Sequence, residues 1–122
     1  MVRTKNDYKS TLRHLLSHLD GVNYEKGHVF TEERLLGVTP EDVVEYFNVK
    51  AYGTSRPTDD DFPILARSSS LYHYKKSISS LMPNPHIPWN DISRTGNPTR
   101  SVQVNAMIKK VKRLRFGSKV PR

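Results

Sequence analysis

The sequence predicts an all-α protein, a compact bundle of four to five helices. Two observations carry that expectation. Four stretches repeat apolar residues at the helical period, and no convincing strand appears anywhere. A third, the absence of any repeat with a period of 20–50 residues, removes solenoids and propellers. With 122 residues, one structural domain is expected.

The first helix is expected to start near Asn6 or Asp7, either of which can cap it, and to end at Gly21. At about 100° per residue, Tyr8, Leu12, Leu15 and Leu19 fall within about 60° of each other, with Leu16 beside them. Lys9 and Arg13 flank that stripe. Residues 22–37 are ambiguous, although Thr31 followed by Glu32 and Glu33 can start a short turn ending at Gly37. Thr39-Pro40-Glu41-Asp42 is the clearest start signal in the chain. It offers a capping hydroxyl, a proline at the first helical position and acids facing the positive end of the helix dipole. Val43, Val44, Phe47 and Ala51 then share one face, and Gly53 is the stop. Residues 54–67, with two prolines and Asp59-Asp60-Asp61, read as a surface loop.

Ser68, Ser69 and Ser70 offer capping hydroxyls for the next helix, which Pro83 terminates. Its apolar face is Leu71, Tyr74, Ile78, Leu81 and Met82, with Lys76 and Tyr72 on the exposed side. Residues 83–99 form a long connection with four prolines, expected to be pinned or functional, with Ile87 and Trp89 as the pins. The last helix is expected from Thr99 or Ser101 to about Arg115, stopping before Gly117. Val104, Met107, Ile108, Val111 and Leu114 make one side of it, and Lys109, Lys110, Lys112 and Arg113 the other.

Charge is distributed unevenly. Residues 1–93 hold 11 basic and 12 acidic side chains, whereas residues 94–122 hold nine basic ones and no acid. A field of one sign at one end attracts polyanions. The plain alternative is a solvated tail that aids solubility. Lys and Arg neutralise phosphates and release counterions, the main source of sequence-independent DNA affinity. Hydroxyls such as that of Tyr72 can add phosphate hydrogen bonds.

The absence of cysteine excludes a disulfide framework, a thiol nucleophile and a Cys-based zinc site. The apolar runs are far shorter than a membrane span, and Met1 is followed by a polar, charged stretch rather than a secretory signal. The expectation is a soluble intracellular protein, nuclear if its host is eukaryotic, with no membrane partner. His14 and His18 have an i, i+4 metal-ligand spacing, but Leu15 stands where a metalloprotease has glutamate and no third ligand is apparent. Asp59-Asp60-Asp61 lacks the alternating spacing of a calcium loop. Phosphate-binding glycine loops and the nucleophile turn of hydrolases are absent too. No cofactor, metal or catalytic residue is expected.

The stretches Gly37–Gly53 (GVTPEDVVEYFNVKAYG) and Arg67–Asn84 (RSSSLYHYKKSISSLMPN) carry a resemblance. So do Pro88-Trp89-Asn90 and Gly96–Lys112 (GNPTRSVQVNAMIKKVK). Together they resemble the N-terminal core-binding (SAM-like) domain of tyrosine recombinases and integrases, of the type found in Crypton-like mobile elements. The resemblance covers roughly two thirds of the chain. It implies a bundle of four or five helices that clamps one side of a DNA duplex. It also implies a separate catalytic domain with an arginine, lysine and histidine constellation and a tyrosine nucleophile. These 122 residues leave no room for that domain; if they are the whole protein, the resemblance implies DNA binding without strand cleavage.

The expected organisation is an N-terminal helix and connector over 1–35, a core-binding domain over 36–116 and a basic tail over 117–122. The expected function is binding of double-stranded DNA, as the core-binding part of a recombinase or a stand-alone remnant of one. Lys75, Lys76, Arg100, Lys109, Lys110, Lys112 and Arg113 are the expected contacts, mainly to phosphate. Further expected partners are a recombinase catalytic domain or other copies of the chain on DNA. The rival is a helical protein-interaction module whose basic last helix docks on an acidic partner.

Overall fold

Residues 2–117 of the chain are described by a computed structural model, with side chains over 8–115. Of the expected basic tail, residues 118–122 lie outside the described residues. Among the described residues five helices form: α1 (Val2–Asp20), α2 (Glu32–Leu36), α3 (Pro40–Tyr52), α4 (Ser68–Leu81) and α5 (Val102–Gly117). A 3-10 turn, Pro98–Arg100, precedes α5. Among the described residues there is no strand, only the isolated bridges Pro88–Asn97 and Asn90–Thr95. The protein is all-α.

Local chemistry explains most boundaries. Thr31 caps α2 by accepting from the Arg34 amide at 3.1 Å. At α3, Thr39 Oγ1 accepts from the Asp42 amide while the Asp42 carboxylate accepts from the Thr39 amide, a reciprocal capping box. Gly53 ends α3 at φ 81°, a left-handed conformation that a side chain resists.

Three boundaries depart from expectation. Helix α1 starts at Val2, so Asn6 and Asp7 are interior, because no Pro or Gly upstream interrupts the turns. The serines at 68–70 lie inside α4 and do not cap it. A hydroxyl caps only from the non-helical position, and Arg67 holds that position without a side-chain bond. The start of α5 is the second of the two expected: Thr99 belongs to the 3-10 turn and Ser101 is the cap, with Oγ accepting from the Val104 amide at 3.3 Å. Finally, α5 runs through Gly117 instead of stopping before it.

Helix α1 packs on α4 and α3 packs on α5, while α4 also meets α5. Leu15, Leu16, Val43, Phe47, Leu71, Ile78, Val104, Ile108 and Val111 meet in one fully buried core. Removing each larger side chain from water stabilises the fold by about 1.5–3 kcal/mol. Tyr46 and Val38 join this core without having been expected there.

The connection between α4 and α5 is pinned differently from the expectation. Ile87 is exposed and Trp89 only half-buried. The pins are Asn97, Pro98 and Thr99, all buried. Asn97 Nδ2 donates to Ser79 Oγ at 2.9 Å and to the Pro85 carbonyl at 3.0 Å. Its Oδ1 accepts from the Thr99 amide and hydroxyl at 3.1 and 2.8 Å. Gly96, at φ 106°, brings its backbone so close to Pro88 that a Cβ would lie 2.3 Å from the Pro88 carbonyl oxygen.

Candidate nucleic-acid interface

The packing of α4 against the 3-10 turn brings Lys75, Lys76 and Arg100 around one open groove of about 470 Å³. Tyr72, Ser79 and His86 complete its polar lining. Arg100 is held across the groove because its Nε donates to the Pro85 carbonyl at 2.7 Å. That carbonyl is itself positioned by Asn97, so the buried amide and the exposed guanidinium are mechanically connected. Lys75 is half-buried and its Nζ donates to Asn105 Oδ1 of α5 at 2.6 Å. Desolvation lowers its pKa from the ordinary lysine value, and the Arg100 charge lowers it further. A phosphate entering this groove would relieve the repulsion between those two cations.

Asn105 marks the flank of α5 that faces α4. Lys109 and Lys112, four and seven residues on, lie within about 40° of it around the helix and are exposed. The other two expected contacts diverge. Arg113 and Lys110 are exposed and lie about 80° and 140° round the helix from Asn105, and the Arg113 charge opposes the upward shift that burial and Asp61 impose on the Tyr52 phenol. The structure therefore collects five of the seven expected residues on one flank: Lys75, Lys76, Arg100, Lys109 and Lys112. Among the described residues, none of these five forms an ion pair with a carboxylate.

Several charges elsewhere are engaged. Arg94, counted in the basic end of the sequence, meets Glu41 at 2.6 Å and Asp91 at 3.4 Å, and its guanidinium lies 5.1 Å from the Trp89 ring centre. Arg115 donates to the Pro63 carbonyl at 2.6 Å. His18 sits 3.3 Å from Glu45 and packs on the Tyr46 ring, while His14 is exposed. Among the described residues, no helix is long and apolar enough to cross a membrane.

Sequence reading missed His86, Pro85, Ser79 and Asn105 as parts of this region. Asn105 carries a local signal, since it stands one turn before Lys109 on the same flank. The other three reach the groove through nonlocal packing and carry none. Comparison with protein-family models, curated proteins and solved structures finds no match to the chain.

Proposed function

We propose that the chain binds double-stranded DNA through the flank formed by α4, the 3-10 turn and α5. Its role is that of the core-binding part, or a stand-alone remnant, of a mobile-element tyrosine recombinase. One observation supports this above the rest: Lys75, Lys76, Arg100, Lys109 and Lys112 share a flank on which no carboxylate pairs with them among the described residues. Duplex DNA presents a negative charge about every 1.7 Å of axis, so an elongated row of cations can engage several phosphates together. Phosphate contacts position a protein without reading bases, and the expected binding is correspondingly tolerant of sequence.

The test is affinity for unrelated duplexes across a salt series. If the five cations each neutralise a phosphate, log K should fall against log salt with a slope of roughly −4.5. Lys109→Ala with Lys112→Ala should flatten the slope by up to about 2 units, and Lys110→Ala with Arg113→Ala should change it far less. All four residues are exposed, so stability should stay within about 0.5 kcal/mol. Unchanged affinity in a folded Lys109→Ala/Lys112→Ala variant would defeat this reading and favour docking of α5 on an acidic protein.

A further inference from the structure

A second concavity, of about 410 Å³, lies between α1 and the segment leading into α2. Leu12, Phe30, Leu35 and Leu81 give it an apolar floor, and Lys9, Arg13 and Lys26 line it with no carboxylate among the lining residues. Its outer wall is firmly built. Arg13 donates to the Tyr24 carbonyl at 3.2 Å, and the Tyr24 hydroxyl donates to Asp20 at 2.6 Å. The Tyr24, His28 and Phe30 rings pack in tilted and edge-to-face pairs with centres 4.5 to 4.9 Å apart.

The loop joining α3 to α4 has the complementary character. Asp59, Asp60 and Asp61 precede Phe62, Ile64 and Leu65, whose exposures are 53%, 74% and 60%. These apolar side chains project from a backbone that is held in place. The Leu65 and Ala66 amides donate to the Ala51 and Lys50 carbonyls at 3.0 and 3.1 Å, and Arg115 holds the Pro63 carbonyl. Burying such a cluster would recover the favourable free energy that its exposure forgoes.

We propose that this loop of one copy docks into the α1 concavity of a second copy, giving head-to-tail self-association. Charge complementarity and the matching apolar surfaces favour that occupant. The loop cannot fill its own concavity. It leads directly into the first residue of α4, whereas the concavity is lined by Leu81, the last, and the 14 residues of α4 span about 20 Å. Each copy thus offers one loop and one concavity on different surfaces, a heterologous contact that propagates into chains unless its rotation closes a ring.

Sedimentation of the DNA-free chain, from micromolar to millimolar protein at low and high salt, tests this. The average mass should climb with concentration and fall with salt. Asp59→Lys with Asp60→Lys should weaken association about tenfold or more, as should Lys9→Glu with Lys26→Glu. Combining all four changes in one chain keeps the wild-type net charge and should bring association back. Phe62→Ser should weaken it at all salt concentrations. The changed side chains other than Lys9 and Lys26 lie in the exposed loop, and circular dichroism establishes that each variant is folded. A mass that stays monomeric throughout, or association that ignores either reversal, or a combined variant that fails to recover, would overturn the proposal. None of these changes touches the α4 and α5 cations, so loss of DNA binding by Lys109→Ala/Lys112→Ala leaves the outcome independent.

Discussion

Asn97 is buried in the connection between α4 and α5, and all its amide atoms are used. Asn97→Ala would leave the Thr99 amide without its acceptor in buried surroundings and take from the Pro85 carbonyl one of its two donors. The expected cost is about 2–4 kcal/mol, read from the urea midpoint. Because Pro85 also fixes Arg100, the variant should additionally flatten the salt slope of DNA binding. Asp20 governs acid stability in a comparable way. Hydrogen bonds from Arg34 at 2.7 Å and from Tyr24 at 2.6 Å hold its pKa below the ordinary value of 3.8. The folded state therefore binds fewer protons than the unfolded state in that range. Its stabilisation is present above pH 3.8 and is lost as pH falls through the folded value. Asp20→Asn should remove this part of the acid dependence, so the denaturation midpoint of the variant should fall less steeply than wild type in that window. Equal slopes would show that Asp20 is not the group responsible.

At the scale of elements, the helices were readable wherever a start signal and an apolar stripe coincided. Helix α3 shows this, since Thr39, Pro40, Asp42 and Gly53 act locally and need no distant partner. Helix α4 shows the limit. Three serines advertise a cap, yet the chain turns helical one residue after Arg67, which leaves the first amides without a side-chain acceptor and a cation near the positive end of the dipole. Arg67→Asp should therefore stabilise the protein by about 0.5–2 kcal/mol, seen as a higher melting temperature. No change, or a lower melting temperature, would mean that Arg67 contributes elsewhere. The long connection was readable as pinned but not in its pins. Burial of Asn97 and Thr99 depends on the end of α4 arriving beside them, and nothing within their own segment announces that.

For the whole molecule, the proposed activity is binding without cleavage, so the chain should retard supercoiled DNA and leave it unnicked, with or without magnesium. Burial raises the Tyr46 phenol well above its ordinary pKa, and a hydrogen bond to Asp20 together with burial raises that of Tyr24. Tyr72 is the phenol in the basic groove. A covalent protein–DNA adduct lost in Tyr72→Phe would overturn the non-enzymatic reading. The all-α class, the four apolar stripes and the outward cations of α5 followed from the sequence alone, because helical periodicity and capping are encoded within a single element. The division of the cations is different. Lys75 and Lys76 come from the part of the chain with nearly balanced charge and Arg100, Lys109 and Lys112 from the basic end. They share a flank because α4 packs against the 3-10 turn and α5, while Arg113 and Lys110 lie further round α5 from Asn105. Packing between elements far apart in sequence selects which side of each helix meets which neighbour, and that choice belongs to the tertiary structure.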